Sequence, residues 1–398
     1  DWAAAASGMT NVQASNEDVD LDGEDEYLLY NDRVFGLFER VGGRLIGVWV
    51  RDFLYDRVLQ AAGNLVGYPG SSTEYEGTYN VESNGTVVAF RTSCLKDWWA
   101  SANGNQYIND FYSATYWTNG WRLTSSDNAV RKTITLAPKS WKFEVQYAMS
   151  GSMSGQPLYV RHGLSPNLFD LIMRGQSTLG SEQHGAGVMT LKNTNYETTV
   201  IATIGYADAG HNAGFNTGAV DDDPSKSVLF NTVNMRNQAQ THQVEMVGTN
   251  SFAFSLGFEA VPSDWDGDGM PNIFEDAASF NSQSNGDGTA DADLDLVPNN
   301  QEYIAGTDPN NIYDFLSGSV ANPSTTGIVV RFPTKLKREY FVSYQNTSLL
   351  SQSWATANSN AIAGTGGTVQ WLDDGAATDP DPAQVTNRFY RIRVQLQQ

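Results

Sequence analysis

The chain has 398 residues, of which 40% are apolar, 12% aromatic and only 17% charged. That is the composition of a folded protein with core enough for two or three domains, and it excludes a disordered or low-complexity polymer. A formal net charge of -21 argues against nucleic acid and anionic membrane surfaces as partners, and no apolar stretch has the length of a membrane-inserted span.

In chain order, an acidic segment comes first. Asp18-Val-Asp20-Leu-Asp22-Gly23-Glu24-Asp25-Glu26 sets carboxylates on alternate positions ahead of an apolar stretch. Asp18, Asp20, Asp22 and Glu26 are candidate ligands for a hard cation, against the plainer reading of an acidic turn. Residues 1–258 then read as strand after strand. Segments 27–30, 34–38 and 45–50 are short, β-branched or aromatic, and parted by the polar turns Asn31-Asp32 and Gly42-Gly43. Further strands are predicted over 86–91, 130–136, 142–149, 158–162, 197–205, 226–233, 242–247 and 251–258. A short helix is expected over 167–174, capped by Ser165 with Pro166 at its first position and closed by Gly175. So many strands with so little helix predict a large antiparallel β-sandwich.

Within this region, residues 98–121 concentrate rings: Trp98, Trp99, Tyr107, Phe111, Tyr112, Tyr116, Trp117 and Trp121. Flat rings stack on the apolar faces of sugars, so Trp98, Trp99, Trp117 and Trp121 are candidate glycan contacts. The competing reading is that these rings fill the core of the sandwich. A glycosidase needs two carboxylates about 5 Å or about 6.5–9.5 Å apart. Glu39, Asp52, Glu74, Glu76 and Asp97 stand near strand ends or loops, but sequence gives no geometry, and no catalytic residue is assigned. His162, His184, His211 and His242 lack metal-ligand spacing. Cys94, the sole cysteine, has no histidine near it in sequence and reads as a small buried apolar residue.

The most specific pattern is Asp264-Trp-Asp266-Gly-Asp268-Gly269-Met270-Pro-Asn272-Ile-Phe-Glu275. It sets carboxylates at positions 1, 3, 5 and 12 of a loop, glycine at 6 and asparagine at 9. A hard cation such as Ca2+ takes six to eight oxygens at about 2.3–2.6 Å. Asp264, Asp266, Asp268, the Met270 carbonyl, Asn272 and a bidentate Glu275 would supply them. Asp291, Asp293, Asp295, Asn299 and Glu302 repeat positions 1, 3, 5, 9 and 12, with Leu296 in place of the glycine, which raises the strain of the turn. Asn285-Gly-Asp287-Gly lies between the two and is able to share a ligand with either.

Short helical turns are expected over 271–280 and 299–305. Strands at 327–332, 339–345, 352–357, 367–372 and 388–396 then predict a small sandwich of immunoglobulin or fibronectin type. The expected division is a large β-sandwich over 1–258, a calcium-binding linker over 259–312 and a small sandwich over 313–398. With a single cysteine no intrachain disulfide forms, which by itself fits a reducing compartment. Calcium loops pull toward the calcium-rich exterior, with metal in the place of disulfide staples, and that is the expectation. Since the chain opens at Asp1 and not at methionine, a mature or trimmed product is expected.

Residues 264–309, closing on Gln301-Glu-Tyr-Ile-Ala-Gly-Thr-Asp-Pro309, resemble bacterial thrombospondin type 3 repeats. The resemblance implies aspartates wrapped around calcium with almost no apolar core, and Asp264, Asp266, Asp268 and Glu275 as ligands. Asp291, Asp293, Asp295 and Glu302 fit less closely because Leu296 departs from the pattern. Residues 339–394, with Gly364-Thr-Gly-Gly367 and Arg388-Phe-Tyr-Arg391, resemble the small sandwich that follows such repeats in secreted bacterial proteins, which implies an appendage or sorting module. Asp20-Leu-Asp-Gly-Glu-Asp-Glu-Tyr27, Tyr30-Asn-Asp-Arg-Val-Phe35 and Phe38-Glu-Arg-Val-Gly-Gly-Arg-Leu45 resemble a β-sandwich that accompanies extracellular amylase-like enzymes related to glycoside hydrolase family 57. Such enzymes carry catalysis on a separate β/α barrel, so the resemblance implies an enzyme-associated module.

Three functions are compatible with these signals. The first is a secreted, calcium-stabilised, non-catalytic β-protein contacting polysaccharide or a catalytic partner domain. The second is a structural subunit that self-assembles into an extracellular fibre or matrix by strand exchange. The third is a polysaccharide hydrolase or lyase with its acids on the N-terminal sandwich.

Overall fold

A computed structural model describes residues 2–19, 21, 23–63, 93–98, 107–164, 182–185, 188–194, 197–205, 214–215, 242–321, 327–347, 349, 353–358 and 360–397. The chain divides into two compact units, Asp1–Val261 and Pro262–Gln398. The acidic loops and the small sandwich therefore share one unit. The fold is mainly β, built from several antiparallel sheets as the strand pattern predicts.

In the first unit a short helix α1 (Trp2–Ala5) precedes β1 (Gln13–Glu17), β2 (Glu26–Tyr30), β3 (Val34–Phe38), β4 (Leu45–Asp52) and β5 (Arg57–Gly63). These five pair in sequence order as one meander. Then follow β6 (Lys96–Trp98), β7 (Ser113–Trp117), β8 (Gly120–Thr124), β9 (Val130–Leu136), β10 (Lys142–Met149) and β11 (Leu158–Leu164). The unit closes with β12 (Glu182–Gly185), β13 (Val188–Thr194), β14 (Thr198–Gly205), β15 (Gly214–Phe215), β16 (His242–Gly248) and β17 (Ser251–Pro262). An eight-stranded sheet has the order β12-β13-β14-β17-β10-β9-β8-β7, and a four-stranded sheet the order β15-β16-β11-β6. The strands expected at 130–136 and 142–149 coincide with β9 and β10. Those at 86–91 and 226–233, and the helix at 167–174, lie outside the described residues.

Period-two burial decides which side chains face the core. In β10, Phe143, Val145, Tyr147 and Met149 point inward while Lys142, Glu144 and Gln146 point to solvent. In β17, Phe252, Phe254, Leu256 and Phe258 are buried on the same alternation. Register sets Tyr147 opposite Phe252, and their rings stack at 4.8 Å and 4°.

The same alternation turns a lysine inward. Lys132 lies on β9 between Val130 and Ile134, opposite Tyr147, and is fully buried. Its Nζ is 2.8 Å from Asp97 Oδ2 on β6 and donates to the carbonyls of Gly42 (2.7 Å), Gly43 (2.8 Å) and Leu95 (2.8 Å). The hydroxyls of Tyr112 and Tyr147 donate to the two oxygens of Asp97 at 2.6 and 2.7 Å. One ammonium thus links the eight-stranded sheet, β6 of the four-stranded sheet and the turn after β3 of the meander. That turn needs glycine at two positions. A Cβ on Gly42 would stand 2.3 Å from the Ile108 carbonyl, and one on Gly43 would stand 2.9 Å from the Tyr112 ring, both residues being at positive φ. Burial pushes Lys132 down to about 8 even though Asp97 pulls the other way, and burial pushes Asp97 up against the pull of Lys132.

In the second unit α2 (Asn272–Ala278) and α3 (Asn299–Ala305) precede the strands β18 (Ser319–Ala321), β19 (Ile328–Pro333), β20 (Arg338–Gln345), β21 (Ala355–Thr356), β22 (Ile362–Ala363), β23 (Thr368–Asp373) and β24 (Phe389–Leu396). One sheet has the order β18-β19-β23, and β20 pairs with β21, β22 and β24 in another. Val330, Phe332, Tyr340, Val342 and Tyr344 form the core between them. Arg338 donates from Nη2 to the Tyr303 carbonyl (2.8 Å) and from Nε to that of Ile304 (3.1 Å), so the small sandwich caps the C-terminal end of α3.

Replacing Lys132 by Met leaves Asp97 buried without its cation and should cost about 3–5 kcal/mol of unfolding free energy. A urea titration following the first unit checks this, and a loss below about 1 kcal/mol would contradict the hub. A second expectation concerns acid. His162 is buried, accepts the Leu95 amide at Nδ1 (3.3 Å), and is pushed down to about 3 by burial and by the Lys132 and Lys96 charges. The unfolded histidine binds a proton below about 6.5 while the folded one does not. Stability therefore falls as pH drops from about 6.5 toward 3, by up to about 1.4 kcal/mol per pH unit from this group. His162→Asn should flatten that limb relative to wild type when unfolding is measured across it.

Candidate metal centre

The two acidic loops repeat five side-chain bonds, Asp291 standing 27 residues after Asp264 (291 minus 264), and the second adds the Asp295 amide on Asp291 Oδ1 at 3.2 Å. Asp264 accepts the amides of Gly267 (2.8 Å) and Gly269 (3.0 Å), and Asp291 accepts those of Leu294 (2.7 Å) and Leu296 (2.9 Å). Asp266 and Asp293 each accept the amide two residues on, as do Asp268 and Asp295. Asn272 Oδ1 accepts the Trp265 amide at 3.0 Å, and Asn299 Oδ1 accepts that of Ala292 at 3.1 Å. Each Asx bond fixes the backbone where the next carboxylate must turn inward. The loop positions held by Gly267 (φ 77°) and Gly269 (φ 95°) are held in the second loop by Leu294 (φ 67°) and Leu296 (φ 77°). The strain expected at Leu296 is therefore present, and Leu294 shares it.

Short helices complete both loops. Glu275 lies in the first turn of α2 and Glu302 in the first turn of α3. In the first site, one carboxylate oxygen from each of Asp266, Asp268, Glu275 and Asp287 lies within 4.8 Å of the other three. Glu275 is fully buried, and neither of its oxygens has a hydrogen-bond partner. Asp266 Oδ2, Asp268 Oδ2 and Asp287 Oδ1 are likewise buried and unpartnered. In the second site, Asp291, Asp293 and Asp295 come together within the same distance. Glu302 is buried beside them, with Thr307 donating to Oε1 (3.1 Å) and Oε2 unpartnered. Burial, reinforced by the neighbouring aspartates, pushes Glu275 up to about 8; the same causes push Glu302 up to about 7 although Thr307 pulls it down.

Clustered, desolvated carboxylates of this kind could hold a metal ion. The donors are all oxygen, with no imidazole or thiolate, which suits a hard cation. Two of the expected ligands make bonds within the loop. Asp264 is not in the close group and serves the loop amides, and the Asn272 side chain staples the loop at Trp265. Met270 is fully buried with its amide on Asp268 Oδ1. Asp287 enters from outside the twelve-residue pattern, and the signal for it was the Asn285-Gly-Asp287-Gly turn.

At the third acidic segment, Asp18 Oδ2 accepts the Gly23 amide and the buried Glu26 accepts that of Val19. Asp20 and Asp22 lie outside the described residues. Of the candidate glycan contacts, Trp121 is corrected to a core residue. It is 7% exposed and donates from Nε1 to the Leu28 carbonyl at 2.8 Å, because its position on β8 faces the core. Trp117, 41% exposed, has the Arg122 guanidinium 3.4 Å over its ring. Trp98 lies on β6, and Trp99 is outside the described residues. Of the wider aromatic run, Tyr107 and Tyr112 are buried, while Phe111 and Tyr116 are exposed.

Other carboxylates are committed within the fold. Glu39 pairs with the buried Arg44 at 2.6 Å, Asp52 caps the amides of Leu54 and Tyr55, and Asp97 holds Lys132. Glu74 and Glu76 are outside the described residues. Burial pushes the Cys94 thiol up to about 12, which removes it as a nucleophile at neutral pH.

No family model and no curated protein matches the chain. Among solved structures, it is distantly similar to a 4-alpha-glucanotransferase from Thermococcus litoralis, at 13% identity over 62% of this chain and 41% of that one, TM-score 0.36. It is also similar to a bacterial glucoamylase complexed with acarbose, at 11% identity over 57% of this chain and 30% of that one, TM-score 0.31. A third similarity is to YidC from Thermotoga maritima, at 9% identity over 62% of this chain and 50% of that one, TM-score 0.28. The chain spans half or less of each of these proteins. Among the described residues, no helix is long and apolar enough to cross a membrane.

The second loop offers a direct test of its strain. Leu296 is 90% exposed, so Leu296→Gly removes a left-handed side chain without removing packing. The variant should be about 1 kcal/mol more stable, read as a raised melting midpoint of the second unit. An unchanged or lowered midpoint would contradict the strain.

Proposed function

We propose that this chain is a secreted, calcium-stabilised, non-catalytic β-protein of an extracellular polysaccharide-processing system. In it, the thrombospondin type 3-like loops bind two calcium ions. The observation that carries the calcium reading is Glu275: a fully buried carboxylate with both oxygens unpartnered, facing three aspartates. A buried charge so placed is costly unless a cation meets it. When bound, calcium supplies that positive charge and performs no chemistry. The chain's own residues orient its oxygens, through the Asx bonds of the loops and the first turns of α2 and α3. Calcium is favoured over magnesium because four carboxylates drawn from separate turns suit a large, irregularly coordinated ion better than a strict octahedron.

Two observations support the non-catalytic part. Glu39, Asp52 and Asp97, weighed as possible acids, are buried and bound to groups of their own fold. Trp117 remains exposed on β7 as a contact for polysaccharide or a partner domain.

Calorimetric titration of calcium into metal-stripped protein should show two ions bound. Thermal stability of the second unit should rise by about 2.7 kcal/mol per bound ion at a hundredfold excess over the dissociation constant. Glu275→Gln should abolish one of the two binding events. No heat and no change in melting with millimolar calcium would refute the reading. The glycan arm is read separately, by retardation of wild type and Trp117→Ala in gels carrying soluble α-glucan; equal mobility with and without glucan would defeat it.

A further inference from the structure

We infer that the two acidic loops are one cooperative cation-binding unit, coupled through the Asp287–Ala290 segment and the Asn299-Asn300 pair. The inference rests on the cation reading above and extends it to how the sites communicate. Asp287 belongs to neither loop pattern, yet its carboxylate lies with Asp266, Asp268 and the unpartnered, fully buried Glu275. The backbone of the same segment holds the start of the second site's helix. The Asp287 carbonyl accepts Asn299 Nδ2 at 2.8 Å, the Gly288 carbonyl accepts the Asn300 amide at 3.0 Å, and the Ala290 carbonyl accepts the Asn299 amide at 2.8 Å. A return path closes the circuit: Asn300 Nδ2 donates to the carbonyl of Asp268 at 3.1 Å. The approach is close, since a Cβ on Gly288 would stand 2.5 Å from Asp268 Oδ2. The helices also touch, with the Phe274 and Tyr303 rings 5.0 Å apart.

The coupling follows from mutual repulsion. Four carboxylates held this close repel each other. A cation in the first loop relieves that repulsion, holds Asp287 in place and so fixes its carbonyl and those of Gly288 and Ala290. These carbonyls set Asn299, which staples the second loop at Ala292, and so the first turn of α3, where Glu302 sits. Linkage makes the effect reciprocal, so a cation in the second loop must strengthen the first.

The test uses the full chain and two readouts. Calcium titrated calorimetrically into metal-stripped wild type should give a sigmoidal isotherm with a Hill coefficient above 1. Terbium emission sensitised by Trp265, the tryptophan inside the first loop, reports that loop. Glu302→Gln alters only the second loop, yet it should weaken first-loop terbium binding by about 5- to 150-fold. Asn300→Ala keeps every carboxylate, removes the return path, and should leave two ions bound with a Hill coefficient below that of wild type. Two ions binding independently in wild type, or a first loop indifferent to Glu302→Gln in protein whose circular dichroism is native, would overturn the coupling and leave the cation reading standing. Absence of any binding in wild type would overturn both.

Discussion

A charge taken out of water must meet an opposite charge or a full set of hydrogen bonds, and this constraint organises both units of the chain. The first unit meets it with its own residues. Lys132 is enclosed by Asp97 and three carbonyls, and Asp97 in turn receives two tyrosine hydroxyls. The second unit gathers carboxylates around Glu275 and leaves their inward oxygens unmatched. The same physics therefore yields a closed polar core in one unit and a cluster of unmatched carboxylates able to hold a cation in the other.

The two solutions differ in what they make rigid. A buried ion pair satisfied by carbonyls of the turn after β3 and of the residue before β6 ties those segments to the sheet that carries Lys132 and has no degree of freedom left for a ligand. Carboxylates on successive turns of a short loop repel one another, and the Asx bonds hold only their backbones in place. Such a loop is prepared in shape but incomplete in charge. The helices that follow are seven residues each, too short to be stable alone, so they depend on the loops before them, and α3 also on Arg338 of the small sandwich after it. Order in the second unit is shared between an apolar core and the acidic loops.

Repetition at 27 residues explains how the second loop can drop its glycine. Asp291 accepts the Leu294 and Leu296 amides just as Asp264 accepts those of Gly267 and Gly269. The hydrogen bonds of the loop, not the glycines, dictate the left-handed backbone. Glycine only makes that conformation inexpensive, and leucine tolerates it at the surface where its side chain meets nothing.

Local spacing alone determined a good deal. Strands Val130–Leu136 and Lys142–Met149, the helical turns after each acidic loop, and the carboxylates of both loops follow from periodicity and from oxygen-ligand spacing, which are properties of neighbouring residues. The tertiary structure decided what depends on contacts between distant segments. It turned Lys132 into a hub, because a period-two pattern marks a position as inward without saying what waits there. Trp121 became a core residue and Trp117 stayed at the surface, since a cluster of rings in sequence does not tell which sheet face each one occupies. Asp287 joined the first site instead of the second, because a ligand from outside a loop is chosen by where the chain folds back.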